Sequence, residues 1–382
     1  MRHARPASDI CPSVNKFAIP VYQPDLSGNE KRYVLECLDS TWISSKGRFI
    51  AEFEDRFATF TGAKHAIGVC NGTVALHLAL VTLGIGPGDE VIVPTLTYIA
   101  AVNAIAYTGA TPVFVDSLPD TWQMDPADVE RKITPRTKGI MAVHLYGHPC
   151  EMDALAALAR EQDIFLIEDC AEAFGSRFKG RHVGTFGDIA CFSFFGNKTI
   201  TTGEGGMVIT DDKTLFERAR HFKGQGLAEH REYWHDVVGY NYRMTNICAA
   251  IGLAQLERAE EVLAKKRALA EDYRKHLAGV PVQMLGEFGE VSSSFWMISI
   301  LVPNAIDRDP LRQHLAGQGI ETRPVFYPVH TMPMYAARYQ RHAIAENLAW
   351  RGINLPSWPD LSSAQVKHIT DSVRHYFSTR PG

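Results

Sequence analysis

The sequence predicts an α/β protein built on a large, mainly parallel sheet of seven strands. Between about residues 50 and 210, helical patterns alternate with short apolar runs that contain many β-branched residues. Continuously apolar runs are typical of strands buried on both faces, which helices must then cover. In chain order, the seven runs are HAIGVC, DEVIVP, TPVFVD, TKGIMAVHLYG, DIFLIEDC, DIACFSFF and GGMVITD.

The first strand leads directly into the helix TVALHLALVTLG, and the glycines of GIGPGDE end that helix before the second strand. After residue 210 the pattern changes. A long helical stretch at 245–277 is apolar in its first half and charged in its second, so its second half is expected to be half-exposed. SSSFWMISILVP then predicts a strand, DPLRQHLAGQGIE a helix and SSAQVKHITDSVRHYF a terminal helix.

These patterns predict three parts in the chain. Residues 1–17 form a flexible leader, 18–260 a large domain that holds the sheet, and 261–382 a smaller α+β domain. A chain of 382 residues with 46% hydrophobic and 21% charged residues is long enough for two such domains.

The composition also narrows the functional classes. No apolar segment reaches the ~18 residues of a membrane span, and the basic N-terminus lacks the apolar run of a secretory signal. The net charge is −4 and there is no Lys/Arg run, so a nucleic-acid partner is not expected. The seven cysteines show no Cys-x-x-Cys pair, which favours reduced thiols and a cytoplasmic location.

Polar residues at three strand ends are the candidates for chemistry, because open α/β sheets bind ligands beyond the carboxyl ends of their strands. The first group is Asn71, Gly72 and Thr73, where HAIGVC passes into a helix. Free N–H groups at the helix N-terminus can hold a phosphate, and glycine permits close approach. The alternative is an ordinary helix N-cap by Asn71 or Thr73.

The second strand end carries Glu168 and Asp169. A carboxylate there needs a partner that keeps it ionised, and a protonated pyridine nitrogen is one such partner. Only one of two adjacent strand residues can face the site, and the apolar alternation does not decide which. Capping of the next turn is the alternative role.

The third strand end carries Ser193 and, after it, Lys198. A buried lysine with a lowered pKa is a nucleophile that forms a Schiff base with a carbonyl cofactor. A surface lysine and a packed serine hydroxyl are the alternatives. Together, a phosphate cradle, a buried carboxylate and a lysine match the requirements of pyridoxal phosphate.

Other ligands fit the sequence less well. No G-x-G-x-x-G follows a strand, and there is no G-x-x-x-x-G-K-[ST] motif for nucleotide phosphates. His144, His148 and Cys150 suggest a metal site by residue type, but polar residues at a strand end explain them better, so no metal is predicted.

Three segments, EDCAEAFG, FSFFGNKTITTGEGGM and GYNYRMTNICAAIGLAQLE, resemble the DegT/DnrJ/EryC1/StrS family of sugar aminotransferases. The resemblance extends over residues 18–375. It implies a pyridoxal-phosphate enzyme of aspartate aminotransferase fold (fold type I). It also implies a homodimer whose two active sites are shared between the subunits.

The resemblance also implies a role for each site residue. Lys198 would form the Schiff base and move the proton, Asp169 would pair with the pyridine nitrogen, and Glu172 would approach the ring hydroxyl. The remaining implied cofactor contacts are ring stacking by Tyr98, phosphate binding by Gly72, Thr73 and Ser193, and phosphate binding from the neighbouring subunit by Asn241. Arg243 is an alternative to Asn241, or a ligand for the donor carboxylate.

Within the family, DSTWISSKGRFIAEFE, PTLTYIAAVNAI and ETRPVFYPVH are most similar to enzymes that aminate C4 of GDP-4-keto-6-deoxy-D-mannose with L-glutamate as donor. His148 stands where glutamine is common and Cys170 where alanine is common; of these, His148 is expected to affect the choice of sugar. The alternatives are a dTDP- or UDP-linked keto sugar, a fold type I lyase, or a regulator without catalysis. Retention of Lys198 favours aminotransfer.

Overall fold

The computed structural model describes residues 17–336 and 340–379, so the predicted leader lies, except for residue 17, outside the described residues. The α-helices are α1 (Glu30–Asp39), α2 (Arg48–Thr61), α3 (Gly72–Thr82), α4 (Ile99–Tyr107), α5 (Pro126–Lys132), α6 (Met152–Glu161), α7 (Lys213–Lys223), α8 (Asn246–Glu257), α9 (Ala259–His276), α10 (Ala305–Gly317), α11 (Ala343–Arg351) and α12 (Ser363–Ser378). The strands are β1 (His65–Val69), β2 (Glu90–Pro94), β3 (Thr111–Val115), β4 (Thr137–Val143), β5 (Phe165–Asp169), β6 (Arg177–Phe178), β7 (Arg181–His182), β8 (Ile189–Ser193), β9 (Gly206–Thr210), β10 (Gln283–Met284), β11 (Val291–Ser292), β12 (Ile298–Leu301), β13 (Arg323–Pro324) and β14 (Gly352–Leu355).

The main sheet has seven strands in the order β1-β9-β8-β5-β4-β2-β3. Strand β9 is antiparallel to both of its neighbours, and all the other pairs are parallel. Each of the seven apolar runs forms one strand of this sheet, so the predicted α/β architecture is confirmed. Because β1, β8, β5, β4 and β2 point the same way, their carboxyl ends meet at one edge of the sheet.

Helices cover both faces of this sheet. On one face, α3, α4 and α7 pack against side chains that include Ile167, Ile189 and Cys191. On the other face, α2 and α8 cover one half, and α5 and α6 cover the half that contains Leu166. Since side chains alternate along a strand, Asp169 points to the face covered by α3 and Glu168 to the opposite face.

A second, antiparallel sheet follows in the order β10-β12-β14-β13. Its core includes residues from α10, α12 and the later part of α9, such as Leu269 and Tyr273. A domain boundary near residue 260 remains a proposal. Within the described residues, no helix is both long and apolar enough to cross a lipid bilayer.

Two predicted elements differ from the structure. The helical stretch at 245–277 is broken at Arg258, whose φ of −111° and ψ of 11° separate α8 from α9. The break lets α8 pack against the main sheet while α9 reaches the second core.

The predicted strand SSSFWMISILVP is interrupted at Phe295, whose φ of 47° lies in the left-handed region. Only Ile298–Leu301 pairs as β12, and Trp296 is thereby placed before the strand.

Candidate active site

Lys198 lies in the turn that follows β8, with its backbone N–H donating to the Phe195 carbonyl oxygen over 2.9 Å. Its side chain is 12% exposed, and Nζ lies 3.9 Å from Glu172 Oε1. The same Nζ lies 3.9 Å from the centroid of the Trp296 ring. Burial lowers the pKa of Lys198, while the carboxylates of Glu172 and Asp169 partly oppose that shift. A lowered pKa makes more of the neutral, nucleophilic amine available at neutral pH.

Asp169 is the carboxylate that faces this lysine. It is buried, and its Oδ1 accepts a hydrogen bond of 3.0 Å from the Ala171 backbone N–H. Burial raises the pKa of Asp169, although the charge of Lys198 partly offsets the rise. The structure therefore decides between the two adjacent carboxylates, because β5 directs Asp169 to the α3 face.

Glu168 has a structural role on the opposite face. Its two carboxylate oxygens accept the backbone N–H groups of Gly184, Phe186 and Gly187, each at 2.7 Å. Burial alone would raise the pKa of Glu168, but hydrogen bonds from His144 and these amides hold it below the ordinary value. The carboxylate thus fixes the loop between β7 and β8, which precedes Ser193 and Lys198 in the chain.

His144, Glu168 and Cys170 bring potential metal ligand atoms within 4.8 Å of one another. Both ring nitrogens of His144, however, are used in hydrogen bonds. Nδ1 accepts from the Cys150 backbone N–H at 3.0 Å, so Nε2 carries the proton and donates to Glu168 Oε2 at 3.0 Å. Burial also raises the pKa of the Cys170 thiol well above its usual value. This group therefore acts through hydrogen bonds rather than as a set of free ligands.

Glu172 completes the charged group around Lys198. Its Oε2 accepts the Tyr146 backbone N–H at 2.8 Å. Burial raises the pKa of Glu172 to about 7, against the opposing charge of Lys198. The charges of Glu172, Asp169 and Lys198 thus act on one another, so the titrations of the three groups are coupled.

Glu172→Gln is expected to stabilise the cofactor-free protein at and above pH 7. The free carboxyl titrates near 4.5 and the folded one at about 7, so the folded state holds a proton that the unfolded state loses between these values. The stabilisation that the Glu172 carboxyl contributes is fully present below about pH 4.5 and is lost as the pH rises through about 7. A neutral glutamine avoids that loss, and the gap in unfolding free energy should reach about 3 kcal/mol.

Denaturant unfolding of the cofactor-free protein at several pH values between about 5 and 8 measures this gap. Glu290→Gln is the matched control, because the Glu290 side chain is 74% exposed. A gap between Glu172→Gln and wild type that stays constant with pH would contradict the assignment.

The residues predicted to bind a phosphate lie together where α3 begins beside the end of β8. A Cβ added to Gly72 would lie 2.6 Å from Ser193 Cβ and 2.9 Å from Ser193 Oγ, so only glycine fits there. Asn71 serves as the N-cap, with its side chain accepting from the Val74 N–H at 3.0 Å. The neighbouring Thr73 is half-buried in the first turn of α3. Backbone amides, Ser193 Oγ and the helix N-terminus can together hold an anion.

Tyr98 and Asn241 are both exposed. Tyr98 precedes α4, is 56% exposed, and has its ring centroid 5.5 Å from that of Phe326. Asn241 Oδ1 accepts from the Arg243 guanidinium at 3.1 and 3.3 Å. His148, by contrast, is buried, and burial lowers its pKa to about 4, so it is neutral at physiological pH.

Three aromatic residues beside Lys198 and Glu172 were not predicted from the sequence. The Tyr22 hydroxyl donates to the Lys198 carbonyl oxygen at 2.7 Å. Trp296 Nε1 donates to the Asn197 carbonyl oxygen at 2.6 Å, and the Tyr146 ring stacks on that of Trp296 at 6.1 Å. Tyr22 and Trp296 lie far from Lys198 in the chain, so no local sequence motif indicates that they contact it. For Tyr146, the sequence HLYG at the end of β4 was the one pattern that could have indicated a place near the site.

Residues 24–374 match the model of the DegT/DnrJ/EryC1/StrS aminotransferase family. The chain belongs to this family. It is 64% identical to the GDP-perosamine synthase of Escherichia coli O157:H7, over 95% of this chain and 99% of that one. It is 50% identical to the GDP-perosamine synthase of Vibrio cholerae, over 94% and 99% of the two chains. Among solved structures, the PLP form of the sugar aminotransferase Spr1654 from Streptococcus pneumoniae has a TM-score of 0.90 at 30% identity, over 94% and 98% of the chains.

These matches confirm the predicted family, the fold class and the assignment as an aminotransferase. The family relationship covers both the main sheet and the second sheet, since it ends within α12. The site described above is therefore located in an aminotransferase fold, at the edge where the parallel strands end.

Proposed function

We propose that this aminotransferase moves an amino group from L-glutamate to C4 of GDP-4-keto-6-deoxy-D-mannose and so produces GDP-perosamine. The observation that carries the proposal is the 64% and 50% identity to two GDP-perosamine synthases over nearly the whole chain. Lys198 with its two carboxyl neighbours supports amine chemistry at the strand-end site. L-Glutamate as the donor is part of the proposal, as the sequence resemblance implies.

The residues at the site fit pyridoxal phosphate. Because Gly72 has no Cβ, the first turn of α3 packs directly against Ser193, which places Ser193 Oγ beside the backbone amides of the helix N-terminus, a combination that suits a phosphate. Asp169 is buried with a raised pKa, and a pyridinium nitrogen is a cation that would hold it ionised. When bound, pyridoxal phosphate supplies a carbonyl for the amine and a ring that accepts electrons.

Each of the chain's residues has a defined task in this proposal. Lys198 would supply the amine and move a proton between the substrate carbon and the cofactor carbon, while Glu172 would bind the ring hydroxyl. Asp169 orients the ring through its nitrogen, and Tyr98 covers the ring face. Gly72, Thr73 and Ser193 bind the phosphate. The family resemblance implies these assignments, and the grouping of Glu172 and Asp169 around Lys198 supports them.

We further propose a homodimer in which Asn241 binds the phosphate in the partner's site. The exposure of Asn241 supports this role, because its side chain is available to a neighbouring subunit. Arg243, which donates to Asn241 Oδ1, would orient the amide so that its NH₂ group points outward.

The experiment that tests the function follows the visible absorption of the cofactor-loaded protein through both half-reactions. L-Glutamate should remove the absorption band, and GDP-4-keto-6-deoxy-D-mannose should restore it with formation of an aminated product detected by mass spectrometry. Restoration only by a dTDP- or UDP-linked keto sugar would overturn the sugar assignment. A band that glutamate leaves unchanged would overturn the proposed donor.

A further inference from the structure

Lys266 is a second buried lysine, separate from the site residues described above. It lies in α9 with no exposed surface. Its Nζ donates to the Trp296 carbonyl oxygen at 3.1 Å, to the Ser357 carbonyl oxygen at 2.7 Å, and to Ser357 Oγ. All three acceptors are neutral oxygens. Burial accordingly lowers the pKa of Lys266 well below its ordinary value.

The amine of Lys266 joins three segments that are distant in the chain. Trp296 precedes β12 and Ser357 follows β14, and Ser357 Oγ also lies 3.3 Å from the Trp296 carbonyl oxygen. The Ser357 N–H in turn donates to the Val21 carbonyl oxygen at 2.9 Å. The ring of the next residue, Tyr22, has its centroid 5.6 Å from Lys266 Nζ.

Two of these segments make direct contact with the Lys198 turn. The Trp296 ring covers Lys198 Nζ at 3.9 Å, and its Nε1 donates to the carbonyl oxygen of Asn197. The Tyr22 hydroxyl donates to the carbonyl oxygen of Lys198 itself. Contacts from Lys266 therefore reach Lys198 by two routes, one to its side chain and one to its backbone.

Packing alone does not require an amine at this position. A methionine has nearly the same length and would fill the same volume without the cost of burying a polar group. What the amine adds is its hydrogen bonds, and these end on Trp296 and on Ser357, whose backbone N–H in turn binds the Val21 carbonyl oxygen.

We propose that Lys266 is a positioning residue that holds Trp296 and Tyr22 against the Lys198 turn and so keeps the Lys198 amine covered. The inference rests on the proposed role of Lys198 as the amine that takes up the cofactor. Asp169 and Glu172 are the charged groups that face Lys198 from the neighbouring elements, and they are unchanged by a substitution at Lys266.

Lys266→Met tests this inference in the cofactor-free protein, through the rate at which it takes up pyridoxal phosphate at different pH values. Only the neutral amine of Lys198 reacts. Because burial is the main cause of its lowered pKa, loosening Trp296 should admit water and raise that pKa. Uptake at neutral pH should then slow about tenfold, while the rate at high pH changes little.

Lys265→Met is the matched control, since Lys265 is the adjacent residue of α9, with its side chain 34% exposed and paired with Asp360. Its uptake profile should match wild type. Lys266→Gln keeps two N–H donors, so its uptake rate at neutral pH should lie between those of Lys266→Met and wild type. If Lys266 only filled space, the glutamine variant would show no such recovery. If Lys266→Met does not fold, Trp296→Phe removes the Nε1 bond to Asn197 and should shift the profile in the same direction.

An uptake profile that is the same in wild type, Lys266→Met and Trp296→Phe would overturn the inference. So would equal effects of Lys265→Met and Lys266→Met. Failure of the proposed function gives a different result, because a wild-type protein that forms no cofactor band refutes the role of Lys198 before any Lys266 variant is compared.

Discussion

Lys198→Ala is expected to reduce aminotransfer by about 10⁴-fold or more. The substitution removes both the nucleophilic amine and the group that moves the proton, and proton transfer by a positioned side chain alone contributes about 10²- to 10⁴-fold. Lys266 cannot replace it, since Lys266 Nζ is held by the Trp296 and Ser357 oxygens. The measurement is kcat/KM for glutamate and the keto sugar, with product quantified by mass spectrometry.

Lys213→Ala is the control for this substitution. The Lys213 side chain is 78% exposed on α7, so its removal should leave kcat/KM within about twofold of wild type. Activity of Lys198→Ala within tenfold of wild type would refute the assignment of Lys198 as the reacting amine.

Asp169→Asn is expected to lower kcat/KM by about 10²-fold or more while the protein stays folded. An amide has the same shape and can still accept the Ala171 N–H, but it carries no charge to keep a pyridine nitrogen protonated. Because burial raises the pKa of Asp169, the neutral amide replaces a costly buried charge, and the unfolding free energy of the cofactor-free protein at neutral pH should not fall.

Glu168→Gln gives the contrasting result on the adjacent residue. The Glu168 carboxylate accepts N–H groups from His144, Gly184, Phe186 and Gly187. An amide has one acceptor oxygen, so its NH₂ group would face buried donors, and a loss of about 3 kcal/mol in unfolding free energy is expected. Denaturant unfolding combined with kcat/KM separates the two residues. Equal stability losses in both variants would contradict the opposite faces assigned to them.

The sequence was sufficient for the main sheet and for the chemical type of the site. Each of the seven apolar runs became a strand because a segment buried on both faces must be apolar throughout, and that requirement is visible locally. The same logic placed Gly72, Asp169 and Ser193 at strand ends, where polar residues interrupt apolar runs. Lys198 was noticeable because it lies between an aromatic strand and a glycine-rich turn, where the cost of burying an ammonium group must be compensated.

Other features depended on segments that are distant in the chain. The choice between Glu168 and Asp169 required knowing which helices cover each face of β5. The break at Arg258 lets α8 pack against the main sheet while the later part of α9 packs on the second core. Tyr22 contacts Lys198 although 176 positions separate the two residues in the chain, and Trp296 lies about 100 positions from the Lys198 turn. Such contacts leave no local pattern, since they arise only when the second sheet packs against the main one.

By itself, then, the sequence determined the α/β architecture, the aminotransferase family and the set of groups that can do its chemistry. Only the tertiary structure decided the environment of those groups. The Trp296 ring covers the Lys198 amine, the Tyr22 hydroxyl donates to the Lys198 carbonyl oxygen, and Lys266 binds the Trp296 carbonyl oxygen. The physical reason is that residue type and periodicity are local, whereas burial, and with it the pKa of Lys198, depends on what the rest of the chain places around it.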